Sequence, residues 1–268
     1  MQIGVDVGGS LTKMVTISSG ERQYRLLEHT DAAEVAASLP PEREIYATGC
    51  GAKDLASRLQ VPVTIVDELQ SFCAGARQLV LEKDPGAEPF VLTSIGTGTS
   101  IFHVSPSTGT RAAGTGVGGG TITGLGSMLL STTEFAAIMD LASKGKRQRV
   151  DLMVSDLYPD TAESPVLSAL TAANFGRKSF RDADKADIAS AIVQMVVETV
   201  AVLSIQVART YRTRTVVVAG SPSSHPIIRE RFLAMGRFLG HEFDFLEHGP
   251  FCGALGAVLL GHLPKSGR

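Results

Sequence analysis

The chain has 268 residues, 44% of them hydrophobic, with 25 Lys plus Arg against 27 Asp plus Glu and a net charge of −2. That length holds one large domain or two lobes with ample core, and the composition excludes intrinsic disorder. No basic stripe is present, which argues against nucleic acid as a partner, and three scattered cysteines without a C-x-x-C pair fit a reducing cytoplasm better than a disulfide scaffold or a metal cage.

The N-terminus enters Ile3 and Val5 directly, as a strand does, so no signal peptide is expected. Residues 2–17 read as a β-hairpin around the turn in Gly4-Val5-Asp6-Val7-Gly8-Gly9-Ser10-Leu11-Thr12-Lys13. A short helix is expected over 31–39, a strand over 45–49, a helix over 53–59 and a β-branched strand from Val61 to Val66. Glu68 to Glu82 carries helical spacing, and Lys83 to Pro89 has the composition of a linker. Phe90 to Val104 then repeats the hairpin pattern around Ile95-Gly96-Thr97-Gly98-Thr99-Ser100. The restart marks an internal duplication, with lobes expected at 1–85 and 90–268.

The second half opens with a glycine-rich run, Gly114 to Gly126, leading into a helix expected from Ser127. A further helix is expected over 133–144 with Thr133 as its N-cap, followed by a polar, turn-rich stretch to residue 182. Asp187 to Arg209 is the longest helical candidate. Gln194, Glu198, Ser204 and Gln206 interrupt its apolar surface and argue against a membrane span. A helix apolar on most faces belongs in a core or an oligomer seam. Thr215 to Ala219 reads as a strand ending in Gly220-Ser221-Pro222, and Gly253 to Gly261 as a closing helix rich in small residues.

The two hairpin turns carry the chemistry. Successive amide N–H groups in a glycine turn form an anion-binding concavity, to which hydroxyls add donors. Lys13 supplies a positive charge beside the first turn, and Asp6 a carboxylate able to hold a hydrated Mg²⁺. Together the turns read as two jaws around a nucleotide's phosphates. No G-x-x-x-x-G-K-[S/T] occurs, since Gly145-Lys146 is followed by Arg147, so nucleotide binding rests on the hairpins. Gly114-Thr115-Gly116-Val117-Gly118-Gly119 spells G-x-G-x-x-G, but Pro106 and Gly109 break the stretch before it, and the acids after it, Glu134 and Asp140, lie in a helical segment. A glycine-paved wall for a base and sugar fits better than a dinucleotide fold. Glu68, after Val66-Asp67, is open to two readings: an acid favoured by the helix dipole, or the general base that phosphoryl transfer needs. Arg111 is likewise either a solvated charge or a clamp for an anionic substrate.

These residues resemble a known family. Asp6 to Lys13 paired with Ile95 to Ser100 is similar to the phosphate loops of the actin–hexokinase superfamily. Within it the chain resembles type II pantothenate kinases over nearly its whole length. Val66-Asp67-Glu68-Leu69, Arg111 with Gly114 to Gly126, Leu170-Thr171-Ala172-Ala173-Asn174-Phe175-Gly176, and Phe251-Cys252-Gly253-Ala254-Leu255-Gly256-Ala257 carry the likeness. The resemblance implies an α/β fold of duplicated actin-like (ribonuclease H-like) lobes, with mixed sheets flanked by helices. It implies ATP- and Mg²⁺-dependent phosphorylation of pantothenate in a cytoplasmic homodimer, with no membrane or nucleic-acid partner.

By the same resemblance Glu68 is the catalytic base. Asp6, Val7, Gly8, Gly9, Ser10, Leu11, Thr12, Lys13 and Thr97 make the phosphate and Mg²⁺ contacts, with Asp6 reaching the metal through water. Gly119, Gly120, Thr121, Ile122 and Thr123 form the nucleotide wall, and Phe135 and Ser221 add nucleotide contacts. Ser100 and Arg111 hold the substrate, Arg111 at its carboxylate. Phe135 stands where some relatives have Tyr, and Ala112-Ala113 replace the Val-Thr or Val-Gly typical after Arg111. A sugar or N-acetylhexosamine kinase of the same superfamily and a dehydratase-activator type ATPase are the alternative readings.

Overall fold

The computed structural model describes residues 1–9, 11–27, 32–37, 39, 44–87, 89–106, 108–158, 170–178 and 182–262. Ser10, Asp31, Ser38 and Glu88, on which parts of the sequence expectations fall, lie outside these residues.

Strands β1 (Gln2–Val7), β2 (Thr12–Ser18), β3 (Glu21–Leu27), β4 (Glu44–Thr48) and β5 (Val63–Ile65) form one sheet in the order β3-β2-β1-β4-β5. β1 pairs antiparallel with β2 and parallel with β4, in the register Asp6↔Lys13 and Asp6↔Thr48. Alternation is replaced by near-continuous burial along β1, where Ile3, Val5 and Val7 face a core shared with α1 (Ala32–Ala37) and α2 (Ala52–Arg58).

The second sheet contains β6 (Phe90–Ile95), β7 (Thr99–Val104), β8 (Gly109–Thr115), β11 (Thr215–Ala219) and β12 (Glu242–Phe245), in the order β12-β11-β6-β7-β8. Read from β8 this is the same order as the first sheet. β6 is antiparallel to β7, β7 antiparallel to β8, and β6, β11 and β12 are mutually parallel. The duplicated, actin-like architecture is therefore present in the strand pairing itself. Between the sheets lie α3 (Glu68–Lys83) and the closing helix Cys252–Gly261, which packs on α3 and on β1, β2 and β4. The last helix thus returns to the sheet on which the chain began.

Several expectations are corrected. The helix placed from Ser127 is α4, Gly119–Leu130, and begins inside the glycine run. The second turn caps it: Gly119 N donates to Gly96 O at 2.8 Å and Gly120 N to Thr97 O at 2.9 Å. These tertiary bonds override glycine's poor helix propensity. The next helix, α5, spans Phe135–Lys144 with Glu134, not Thr133, at the cap position, because the Thr132 hydroxyl already turns the chain by accepting from Glu134 N. β8 runs directly into G-x-G-x-x-G, although Pro106 and Gly109 seemed to interrupt it. It is an antiparallel edge strand, so the βαβ geometry of a dinucleotide site is still not formed. The turn-rich segment contains a small antiparallel pair, β9 (Leu152–Met153) with β10 (Thr171–Ala173), and a short α6 (Val154–Leu157).

The long helix, α7 (Lys185–Thr210), is capped by Asp184. Its Ile192, Val196, Val200 and Val207 are buried by α4, α5, the second sheet and α8 (Pro226–Leu239) of the same chain. The apolar stripe is therefore covered within one subunit and leaves little surplus for a seam. Its length and mean hydropathy of 2.0 match a membrane span, yet 67% of that window is buried inside the protein.

Candidate active site

The first hairpin turn closes through Gly8 N donating to Leu11 O at 3.1 Å, and Lys13 Nζ donates to the same carbonyl at 3.2 Å. Cross-strand pairing sets Lys13 opposite Asp6. Thr12 beside it is fully buried, with its hydroxyl lacking a hydrogen-bond partner. Asp6 occupies a slot between two glycines from distant parts of the chain. A Cβ at Gly253 would lie 2.6 Å from Asp6 Oδ2, and one at Gly49 2.7 Å from Asp6 Oδ1. Gly49 is also held at φ 88°, a conformation glycine adopts without strain. Burial pushes the Asp6 carboxyl up to about 6; the Lys13 ammonium pulls it down, and Glu68 pushes it up. A carboxylate so desolvated has the donor chemistry for a hydrated Mg²⁺, and a bound cation would relieve its burial.

Glu68 opens α3, but Asp67 caps the helix: its Oδ1 accepts from Gln70 N at 2.9 Å. Glu68 is exposed and close enough to Asp6 to influence its ionisation. The side-chain cap is therefore Asp67, with Glu68 as the acid in the first turn of α3.

The second turn is a backbone pad. Gly96 N donates to Gly98 O at 2.8 Å, Thr99 Oγ1 to Val117 O at 2.8 Å, and the α4 amides dock on the turn as described. Thr121 and Thr123 hydroxyls donate to Gly116 O and Gly119 O of the same loop, and the Ile122 side chain lies in the core. The Gly119 and Gly120 amides are thus committed to the turn, the Thr121 hydroxyl to the loop before α4 and the Thr123 hydroxyl to the first residues of α4. Thr97, Gly119 and Gly120 are brought together, and Ser221 joins them, since a Cβ at Gly119 would lie 2.9 Å from Pro222 Cγ. Phe135 meets the edge of His225, just beyond that turn, with ring centroids 6.3 Å apart; burial holds the His225 imidazole below its usual range.

Arg111 and Ser100 also converge. Ser100 pairs across the strands with Gly114, and the Arg111 guanidinium lies over Gly114, where any side chain would collide with it. Among the described residues no acid pairs with Arg111. The two halves of the site are joined by the segment 249–253: Gly249 packs on Ala219 at the end of β11, and Gly253 on Asp6 at the end of β1. Gly49 and Gly253 carry no role in the sequence reading; the glycine in Phe251-Cys252-Gly253 is the signal that marks one of them.

Comparisons with known proteins agree with this geometry. The Fumble family model matches residues 22–260. The type II pantothenate kinase of Staphylococcus haemolyticus is 35% identical over 266 residues, covering 97% of this chain and 100% of the relative. This chain belongs to the type II pantothenate kinase family. Solved structures show the fold of this kinase-family chain more widely. The activator of the 2-hydroxyisocaproyl-CoA dehydratase from Clostridium difficile with bound ADPNP has a TM-score of 0.61 at 18% identity, covering 97% of this chain and 93% of that one. A ROK family glucokinase from Streptomyces griseus in complex with glucose and AMPPNP has a TM-score of 0.56 at 15% identity, covering 97% and 98%.

Proposed function

We propose that the chain transfers the γ-phosphoryl group of ATP to the terminal hydroxyl of pantothenate, forming 4′-phosphopantothenate for coenzyme A synthesis. The family assignment supports the reaction, and one observation supports the division of roles: Asp67, not Glu68, caps α3, and Glu68 stands near enough to Asp6 to affect its ionisation. In this reading Glu68 accepts the hydroxyl proton, and Arg111 with Ser100 holds the substrate carboxylate. Lys13 and the amides of the first turn take the developing charge on the phosphoryl oxygens. Thr97, Gly119, Gly120, Ser221 and Phe135 seat the nucleotide. Asp6 would hold Mg²⁺ through water, and the ion supplies charge neutralisation at the phosphates when bound.

The reading includes two lobes, 1–85 and 90–268, the closing helix packing back on the first. It also includes a cytoplasmic homodimer with neither membrane nor nucleic acid as a partner. Exposed Met128, Leu129 and Val202 support self-association better than the buried stripe of α7 does. A solution mass near 28 kDa at all working concentrations would remove the dimer. The reaction is tested by ADP release with pantothenate, glucose and N-acetylglucosamine compared side by side. Stimulation by pantothenate and not by the sugars supports the reading; the reverse pattern refutes it.

A further inference from the structure

The position of Arg111 relative to Glu68 is under-determined by the sheet alone. β8, which carries Arg111, is the edge strand of the second sheet among the described residues. Its ladder with β7 also slips next to Arg111: Ile101 pairs with Ala113 and Phe102 with Arg111, leaving Ala112 as a bulge. A bulge re-aims the side chain beside it and loosens the ladder at that point. Glu68 sits on a different element, at the start of α3.

One contact ties the two together. Gln70 Nε2 donates to Gly109 O, the first residue of β8, at 3.1 Å. The Gln70 backbone is itself fixed, because its N–H is bound by the capping Asp67. One turn later on α3, Cys73 Sγ fills the space where a Gly109 side chain would stand. Gln70 and Cys73 thus dock the first two turns of α3 on the root of the strand bearing Arg111.

Resting on the pantothenate kinase reading above, we propose that Gln70 is a positioning residue that sets the span between the Glu68 carboxylate and the Arg111 guanidinium. That span acts as a ruler for the distance between the hydroxyl and the carboxylate of the substrate. A reacting hydroxyl must lie within hydrogen-bond reach of its base, and a misplacement of about 1 Å costs on the order of 10²-fold in rate. A substrate anchored at its far end by Arg111 meets that condition only if α3 and β8 keep their registry.

The experiment uses the full chain and compares pantothenate with an analogue one methylene longer between amide and carboxylate. Gln70→Leu keeps bulk and removes the donor. We expect kcat for pantothenate to fall about 10-fold, with KM within about 3-fold because Arg111 still binds the carboxylate. The ratio of kcat for the longer analogue to kcat for pantothenate should rise at least about 5-fold. Gly109→Ala, which drives a methyl against both Cβ and Sγ of Cys73, should give the same shift, and Cys73→Gly added to it, which removes both atoms, should restore the wild-type ratio. Thermal melting and nucleotide affinity serve as folding controls. An unchanged ratio, whether kcat falls or not, overturns the ruler. Loss of nucleotide affinity in Gln70→Leu marks general damage, and the Gly109 and Cys73 pair then decides: an unchanged ratio there overturns the ruler. Wild-type protein inactive on pantothenate would instead defeat the underlying reaction.

Discussion

The two hairpin turns occupy equivalent places in two sheets of identical strand order, yet they are built from different chemistry. The first carries charge: Asp6 faces Lys13 across the strands, and Glu68 stands nearby. The second carries no ionisable residue between Ile95 and Ser100 and is saturated by backbone hydrogen bonds to α4. Duplication supplied the same scaffold twice. In the proposed reading, one copy is where charge moves and the other is a pad on which the nucleotide lies. Mutations in the first should therefore damage turnover, and mutations in the second should damage nucleotide affinity.

The largest expected effect lies in the charged half. Glu68→Gln keeps size and hydrogen bonding but cannot accept a proton, so kcat should fall by about 10²–10⁴. Near-normal turnover would reduce Glu68 to a helix-end acid and erase the contrast. Next comes Arg111→Ala, which should weaken pantothenate binding by roughly 1.5–3 kcal/mol while leaving ATP affinity in place. Calorimetry showing the opposite pattern would move Arg111 to the nucleotide side.

The pad is broken by packing rather than charge. A Cβ at Gly120 would lie 2.7 Å from Thr97 Cγ2 and 2.9 Å from Thr97 O. Gly120→Ala should therefore raise the Kd for an ATP analogue by the equivalent of about 1–3 kcal/mol, the scale of an overpacked contact. Undiminished nucleotide binding would show that the turn yields without cost.

The last prediction sharpens the comparison through pH. The folded Asp6 carboxyl titrates at about 6, above its unfolded value of 3.8. The fold therefore binds the proton more tightly than the unfolded chain, and ionising Asp6 costs stability as pH rises from about 4 through about 6. Asp6→Asn should be more stable than wild type above pH 6 by on the order of 3 kcal/mol in the ligand-free state, and no more stable below about pH 4. The same substitution should abolish turnover. Melting curves with no pH-dependent difference would mean that Asp6 is not held desolvated.

Much of this division was legible in the sequence. Both hairpins, the duplication and the segregation of Asp6 and Lys13 from the uncharged second turn follow from glycine spacing and β-branched runs. What escaped depends on long-range packing. α4 begins at Gly119 because Gly96 and Thr97 cap it, which no local propensity predicts. The apolar surface of α7 reads as surplus only until α4, α5 and α8 are placed around it. Gly49 and Gly253 bracket Asp6 from positions far away in the chain, so their role exists only in three dimensions. Glu68 was ambiguous for a simpler reason: two adjacent acids shared one helix end, and only hydrogen-bond geometry shows that Asp67 takes the cap.

The most direct test of the account is the nucleotide affinity of Glu68→Gln, measured by calorimetry with a non-hydrolysable ATP analogue and set beside its turnover. If the charged half performs the chemistry and the pad holds the nucleotide, Kd stays within about 3-fold of wild type while kcat falls at least about 10²-fold. A Kd that weakens in step with kcat would contradict the division between the two turns.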